Sequence, residues 1–244
     1  GAIGSREGWI DTGYVEAPSD LEKLARGLRV LEENEKRDLP NREISILPGL
    51  AVMHENGRHD VMRSEDVKSL GAAIHSGIKD SVLCIPGTHC KWVRIRGGAI
   101  IDFHSVLTGE FYAVLGEMGA LASVLRADEN NQTMDYDSFD RGLDLTRAGH
   151  DLLADLWQVR CQKLRAAAPP AHLRSYFSGI LIGHELRQME IVFPGLKEIT
   201  LVSDSGTRKN LYGHALKKMG LSVLAEVESE AAICAGLSAL KACL

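Results

Sequence analysis

The residues best suited to chemistry lie between positions 60 and 110. Two adjacent carboxylates, Glu65 and Asp66, precede a predicted helix, and a Pro-Gly-Thr-His turn follows at 86–89. A Gly-Thr turn between strands lets backbone N–H groups and a hydroxyl approach a phosphate without an intervening side chain. A carboxylate one helix upstream can accept a proton from a hydroxyl that attacks that phosphate. These residues indicate phosphoryl transfer, while the same letters also fit a plain hairpin turn beside a surface acidic pair.

The elements around this segment must hold the carboxylates and the turn at a fixed separation. Apolar residues recur at helical spacing over 67–74, and Ser81–Ile85 is a compact apolar run typical of a strand. Two further apolar runs, 92–95 and 99–103, flank Gly97-Gly98, which is typical of a β-hairpin. The predicted order is therefore acidic pair, helix, strand, turn, strand, hairpin turn, strand.

The remainder of the chain alternates helical and extended patterns. Helices are predicted at 21–31, 111–125, 151–164, 173–189, 211–219 and 230–240, and strands at 44–47, 199–202 and 221–225. A polar turn over 203–207 separates a strand from a helix. Strands and helices in alternation predict an α/β fold.

The composition excludes several classes of protein. With 244 residues, 45% hydrophobic and 25% charged, the chain fits a globular protein of one large or two small domains. A net charge of −5 argues against a general nucleic-acid binder, and no apolar run reaches the roughly 18 residues that a membrane span needs. Five cysteines without a C-x-x-C pair favour free thiols in the cytoplasm.

Several short motifs, taken in order, resemble the 2-keto-3-deoxygalactonokinase family of sugar-acid kinases. They are Gly4-Ser5 with Gly8-Trp9, Pro48-Gly49-Leu50, Asp60-Val61-Met62-Arg63, Pro86-Gly87-Thr88-His89-Cys90-Lys91-Trp92, Thr108-Gly109-Glu110, a turn from Ser178 to Gly183, and Ile199-Thr200-Leu201-Val202. The resemblance implies an α/β fold of the actin, hexokinase and Hsp70-like (ribonuclease H-like) type, with two lobes around a cleft. It implies a first lobe and interdomain helix at 1–75, joined by 229–244, and a second lobe at 76–228. Small residues in the last helix would allow close helix approach and hinge motion.

The same resemblance implies catalytic and nucleotide-binding roles. Glu65 matches the catalytic base of the superfamily, with Asp66 as the alternative. The proposed contacts to ATP are Gly87, Thr88, His89, Ser205, Gly206 and Thr207. The last three lie where the superfamily holds adenosine, and a helix N-terminus there suits an anion. Asp204 departs from the glycine-rich form usual in related kinases.

The resemblance also implies the reaction. It is ATP-dependent phosphorylation of 2-keto-3-deoxygalactonate at the 6-hydroxyl in galactonate breakdown, with Mg²⁺ bridging the phosphates. The substrate carboxylate favours Arg or Lys, and the candidates are Arg63, Lys91 and Arg6, each of which could equally be a solvated surface charge. The expected partners are the sugar acid and ATP, with neither nucleic acid nor membrane, and with a second copy of the chain in a possible homodimer. No metal ligand is assigned.

One departure from the superfamily concerns its first phosphate motif, an Asp-x-Gly-Ser/Thr hairpin. No counterpart occurs in this sequence, and the motif would lie upstream of Gly1. We therefore expect a partial chain with an incomplete first lobe, and we expect that this chain alone does not turn over.

Other readings of the sequence carry different expectations. A kinase for another sugar or sugar acid and a non-catalytic regulator that binds a nucleotide or a sugar are the two alternatives, and the acidic pair favours an enzyme. A P-loop is absent from the sequence. His54-Glu55 with His59, and His184-Glu185, lack the H-E-x-x-H spacing of a zinc site.

Overall fold

The computed structural model describes residues 8–36, 41–125 and 134–244. The strands of these ranges are β1 Tyr14–Glu16, β2 Arg29–Val30, β3 Ser45–Ile46, β4 Gly49–Met53, β5 His59–Met62, β6 Ser81–Ile85, β7 Cys90–Arg96, β8 Ala99–Val106, β9 Glu198–Val202 and β10 Ser222–Val227. The helices are α1 Leu21–Arg26, α2 Glu65–Ser76, α3 Thr108–Glu117, α4 Gly119–Leu125, α5 Tyr136–Thr146, α6 Leu152–Ala166, α7 Pro170–Val192, α8 Thr207–Lys218 and α9 Ser229–Lys241. A short 3-10 helix occupies Glu33–Glu35. The motif at Gly4-Ser5 and the candidate Arg6 lie outside the described residues.

A five-stranded sheet carries the residues that the sequence singled out for phosphate binding. Its order is β10-β9-β6-β7-β8, with β9 parallel to both β6 and β10 and with β7 antiparallel to β6 and β8. Gly97 and Gly98 join β7 to β8 with φ values of 59° and 81°, a conformation that glycine adopts without steric cost. The predicted hairpin is confirmed, as is the mixed α/β character of the chain.

Both faces of this sheet are covered. Successive side chains of β6 point to opposite sides, and each side packs in a different core. Val82 and Cys84 pack in one core with residues of α5, α7 and α8. Leu83 and Ile85 pack in a second core with residues of α2 and of the smaller sheet. Burial on both faces explains why β6 is an unbroken apolar run and not an alternating one.

A three-stranded sheet, ordered β1-β4-β5, lies beside β8. The backbone N–H of Ser105 in β8 donates to Asp60 of β5, and its hydroxyl donates to the same carboxylate at 2.6 Å. The ammonium of Lys91 donates to the carbonyl of Val61 at 3.2 Å and to the Ser105 hydroxyl. These hydrogen bonds fasten the small sheet to the edge of the large one.

Helices α2 and α9 cross at very close range because both carry small residues where they meet. A Cβ atom on Gly71 would lie 1.9 Å from the carbonyl oxygen of Ala232, and one on Gly236 would lie 2.4 Å from that of Val67. The close approach expected for the last helix is therefore confirmed.

Three predicted elements were wrong in detail. The segment Ser178 to Gly183 is not a turn but the middle of α7, where a Cβ atom on Gly179 would lie 2.1 Å from the carbonyl oxygen of Phe139 in α5. The first helix ends at Arg26, well before residue 31. The run at 111–125 is split at Gly119, whose φ of 76° lies outside the helical region. Among the described residues, no helix is both long and apolar enough to span a membrane.

Candidate active site

The turn between β6 and β7 packs directly on the first turn of α3. The carbonyl oxygen of Thr88 accepts from the backbone N–H of Glu110 at 2.9 Å, and a Cβ atom on Gly109 would lie 2.2 Å from the carbonyl oxygen of Gly87. His89 Nε2 lies 2.6 Å from Glu110 Oε2 at the half-exposed edge of the turn. Glycine is required at 109 by this close approach, whereas a Cβ atom on Gly87 would meet nothing closer than 3.4 Å. Two motifs that are separate in the sequence thus form one unit.

A cavity of about 1150 Å³ begins at this unit and extends between α3, α7 and α8. Its polar wall residues include Gly87, Thr108, Ser203, Asp204, Ser205, Thr207, Arg208 and Tyr212. The structure therefore brings three of the proposed ATP contacts, Gly87, Ser205 and Thr207, to one cavity. Thr88, His89 and Gly206 do not line this cavity. Its size suits a nucleotide-sized ligand.

The loop after β9 delivers the N-terminus of α8 to the cavity. Gly206 precedes the helix with a φ of 116°, in a region that is essentially open to glycine alone. Within the described ranges no side-chain hydrogen bond caps this end of the helix, so its first N–H groups are available to another acceptor. Because those N–H groups carry partial positive charge, this end of the cavity suits an anion.

Glu65 and Asp66 begin α2, as predicted, but neither lines the cavity. Glu65 is partly exposed, and its Oε2 accepts from the backbone N–H of Arg63 at 3.2 Å. Asp66 is 1% exposed, and its Oδ1 accepts from the backbone N–H of Val67 at 2.7 Å. Its Oδ2 is buried without a hydrogen-bond partner among the described residues. Burial raises the pKa of Asp66 to about 6.

Two cations proposed for the substrate carboxylate are held by other oxygens. The Arg63 guanidinium donates to the Thr12 hydroxyl at 2.6 Å and to the Gly13 carbonyl at 3.0 Å, and it lies 4.8 Å from the centre of the Tyr14 ring. Lys91 is buried at the junction of the two sheets, where its ammonium meets the Val61 carbonyl and Ser105. Either cation would have to exchange these partners to bind a carboxylate.

Sequence reasoning missed the carboxylate at the centre of the buried polar network, Glu185 of α7. Trp92 Nε1 donates to its Oε1 at 2.8 Å, the Tyr212 hydroxyl donates to its Oε2 at 2.7 Å, and the Thr108 hydroxyl donates to Oε2 as well. Complete burial raises the pKa of Glu185, while these hydrogen bonds oppose that rise. The signal in the sequence is a single carboxylate inside the mostly apolar run 176–186, which also holds Ser178 and His184.

A second group of titratable residues lies where the loop after β4 approaches β8. Asp102 approaches His54 Nδ1 at 3.3 Å and His104 Nε2 at 3.4 Å. Burial raises the pKa of Asp102, but hydrogen bonding and charge from the two histidines outweigh that effect and lower it overall. The two imidazole rings stack with centroids 4.2 Å apart and planes 11° from parallel. Since an imidazole nitrogen binds a metal in the plane of its ring, stacked rings do not both aim at one ion.

Comparisons with known proteins agree on one family. The sequence profile described as 2-keto-3-deoxy-galactonokinase matches residues 1–240. The chain is 34% identical over 241 residues to "Probable 2-dehydro-3-deoxygalactonokinase DgoK1" of Rhizobium meliloti (strain 1021), covering 98% of this chain and 75% of that protein. It is 30% identical over 240 residues to the 2-dehydro-3-deoxygalactonokinase of Escherichia coli (strain K12), covering 98% and 76%.

A solved structure agrees with these relatives. A crystal structure of a Sinorhizobium meliloti protein that carries the same enzyme name superposes with a TM-score of 0.86 at 33% identity, covering 98% of this chain and 77% of that one. The match therefore extends over nearly all of the chain in sequence and in three dimensions. The resemblance that the ordered motifs predicted is confirmed, and the chain belongs to the 2-keto-3-deoxy-galactonokinase family.

Proposed function

We propose that the protein transfers the γ-phosphoryl group of ATP to the 6-hydroxyl of 2-keto-3-deoxygalactonate in galactonate breakdown. Membership of a kinase family supports the reaction. The observation that carries the proposal is that the turn at Gly87 and the loop before α8 line the same cavity. The turn offers backbone close to a glycine, and the loop leads into the N-terminus of a helix, so an anionic ligand fits beside both.

The nucleotide would lie in the cavity, in contact with both the turn at Gly87 and the loop before α8. Gly87 and Thr108 would face the phosphates, and Ser205 and Thr207 would face the adenosine. Tyr112 lines the cavity and stacks on Phe177 with ring centroids 5.4 Å apart, which supplies an aromatic wall. Thr88, His89 and Gly206 then support the turn and the loop from outside the wall.

Magnesium fits the donors of this cavity. Asp204 and Glu117 contribute carboxylates to its wall, and Mg²⁺ prefers one or two carboxylates together with phosphate oxygens and water. When bound, the ion would neutralise charge on the transferring phosphate. Neither carboxylate is assigned as a ligand.

The general base is proposed to be one of the two carboxylates that begin α2. During the reaction, the attacking hydroxyl oxygen bonds to the γ-phosphorus, its proton passes to the carboxylate, and ADP leaves with the electron pair of the broken bond. A pKa of about 6 keeps Asp66 poised near neutrality, and its unpartnered Oδ2 can accept that proton. Glu65 is the more accessible of the pair, whereas Asp66 acts only when the residues that cover it move. The pKa and the free oxygen favour Asp66.

A two-lobed fold of the actin and hexokinase type would provide that movement. The proposed division assigns 1–75 with 229–244 to one lobe and its helices, and 76–228 to the other. Strands β6 to β10 all fall in the second part, and the close pair α2 and α9 would form the junction. Closure around both substrates would exclude water and limit wasteful hydrolysis of ATP.

The remaining proposals concern the partners of the sugar acid, the cellular compartment and the oligomeric state. Arg63, Lys91 and Arg6 are the proposed partners of the carboxylate, and the present hydrogen bonds of the first two favour a supporting role. A cytoplasmic setting is supported by five cysteines that form no disulfide. A homodimer stays a prediction.

A coupled ATP assay tests the reaction. The protein should phosphorylate 2-keto-3-deoxygalactonate in preference to its gluconate-derived epimer and to simple hexoses. Turnover of hexoses alone would contradict the substrate assignment. Tight binding of ATP or of a sugar acid without turnover of any of them would favour the non-catalytic alternative.

A further inference from the structure

The carboxylate of Glu185 lies behind the cavity and outside the proposed chemistry. It is 2% exposed and belongs to α7, and the residues that donate to it belong to β7, α8 and the start of α3. One carboxylate therefore links four elements that surround or support the cavity. Among the described residues no cation pairs with it, so its hydrogen bonds alone offset the cost of burial.

Two of the three donors also line the cavity. Thr108 and Tyr212 present part of their surface to the ligand space while their hydroxyls bond to Glu185 Oε2. Thr108 is followed by Gly109, which packs closely on the backbone of the turn at Gly87. The position of this wall is therefore tied directly to Glu185.

A longer path of hydrogen bonds reaches the turn itself. Because Tyr212 donates its hydroxyl proton to Glu185, the same oxygen can accept from the Cys90 thiol, whose sulfur lies 3.1 Å away. The Cys90 sulfur in turn accepts from the backbone N–H of Gly87 at 3.5 Å. The Cys90 thiol also lies 3.5 Å from the carbonyl oxygen of Gly87, a second acceptor for its one proton. When that proton goes to Tyr212, the bonds of this path run from the turn toward the carboxylate. Burial raises the pKa of Cys90 to about 12, so the thiol keeps the proton that this path needs.

We propose that Glu185 is a positioning residue for nucleotide binding, which sets the Gly87 turn and Thr108 at the phosphate end of the cavity. This inference rests on the proposed use of the cavity for ATP. The carboxylate does not touch the ligand; it fixes the direction of the hydrogen bonds behind the wall. A competing view holds that Glu185 only satisfies buried donors in the core and has no effect on the ligand.

Glu185→Gln and Thr108→Val test the inference, with Asp155→Asn as the matched control. Asp155 is also buried, lies 2.8 Å from the neighbouring His184 of α7, and does not line the cavity. Each variant is measured for the Kd of ATP by calorimetry in the absence of sugar acid, for KM and kcat with both substrates, and for Tm. The Kd measurement separates this inference from the choice of sugar acid.

We expect Glu185→Gln to raise the Kd and the KM for ATP about tenfold, the usual scale for one hydrogen bond to a charged group. The KM for the sugar acid should stay within about twofold of wild type. Thr108→Val should show a smaller rise, and the double variant should show less than the product of the two, because both remove one shared hydrogen bond. Asp155→Asn should lower Tm without changing the Kd for ATP.

A Kd for ATP within about twofold of wild type in folded Glu185→Gln and Thr108→Val would overturn the inference, whatever happens to Tm. An equal rise in Asp155→Asn would also overturn it. If wild type binds ATP but phosphorylates no sugar acid, the proposed substrate fails while the Kd comparison still decides the role of Glu185. A wild-type protein that binds no ATP would end both proposals.

Discussion

The start of α2 and the middle of α7 each bury one carboxylate, and they treat it in opposite ways. Asp66 is 1% exposed and Glu185 is 2% exposed, and burial raises the pKa of both. Glu185 accepts from three side-chain donors, whereas Oδ2 of Asp66 has no partner in the part of the chain that the structure describes. Burial alone therefore does not set these two carboxylates apart. They differ in the number of hydrogen bonds that their carboxylate oxygens leave unmade.

Position along the helix accounts for part of the difference. Asp66 lies in the first turn of α2, where free N–H groups and the helix dipole stabilise an anion without a side-chain partner. Glu185 lies in the interior of a 23-residue helix, where backbone N–H groups are already used. It therefore needs donors from other elements. The first arrangement leaves an oxygen available, and the second uses all of them to hold structure.

Replacing Glu185 with leucine should give the largest effect. Glu185→Leu leaves the donors on Trp92, Thr108 and Tyr212 buried without an acceptor, and each such group costs about 1–3 kcal/mol. We expect a loss of about 3–5 kcal/mol in the free energy of unfolding, measured by urea denaturation. A loss below about 1 kcal/mol would mean that the carboxylate does not organise this region, and the contrast with Asp66 would fail.

Removing the charge of Asp66 should impair turnover while the fold is kept. Asp66→Asn retains the shape but cannot take a proton, so kcat should fall by about 100-fold or more, the usual scale of general-base catalysis. The Kd for ATP should be unchanged, because Asp66 lies outside the cavity wall. Glu65→Gln is the matched comparison. If that variant is crippled and Asp66→Asn is not, the base is Glu65.

The smallest effect should be a gain in stability that depends on pH. The folded pKa of Asp66 is about 6 against an ordinary value of 3.8, so ionisation is harder in the folded state. Stability is therefore lost as pH rises from about 4 to 6, and the loss is complete above that range. Asp66→Asn should be more stable than wild type by about 2–3 kcal/mol at pH 7, and the difference should disappear below about pH 4.

A variant whose stability is expected to change with pH in the opposite direction serves as the control for that measurement. Partial burial acts to raise the pKa of Asp140, but hydrogen bonds and charges from His214 and Lys218 outweigh it and lower the pKa. Asp140→Asn should therefore lose stability at pH 7 and recover it in acid. Denaturant midpoints of both variants and of wild type, measured at pH 7 and near pH 4, test these opposite pH dependences. A pH-independent difference between Asp66→Asn and wild type would contradict the raised pKa of Asp66.

Local patterns are enough to predict the elements next to the turn at Gly87. The sequence predicts strand β6 at its observed bounds, and it predicts the loop between β9 and α8 with its polar residues. Both depend on short-range features: an apolar run ended by Pro-Gly, and a strand ended by Ser, Asp and Gly. The assignment of Gly87, Ser205 and Thr207 to ATP comes from the resemblance and stays a prediction.

Interactions between distant segments are beyond the reach of sequence patterns. Glycine occurs both in turns and where two helices pack closely. The glycines at 179 and 183 therefore predict a turn, and only their contacts with α5 show that they serve close helix packing. The three donors to Glu185 lie 93, 77 and 27 positions away from it. Arg63 is a candidate for a carboxylate partner, yet its own partners include Thr12, 51 positions away. A charged residue within a motif does not reveal whether its partner is a ligand or the protein itself.

The close approach of Gly71 and Ala232 also bears on how the chain is synthesised. Helix α2 leaves the ribosome well before α9, which is the last element to emerge among those described. At typical bacterial and eukaryotic rates of synthesis, the surface of α2 waits on the order of ten seconds for its partner. During that time the apolar core beneath it stays open on one side, where a chaperone could bind. Ribosomal release of α9, and not the formation of either sheet, should therefore be the event that completes this part of the molecule.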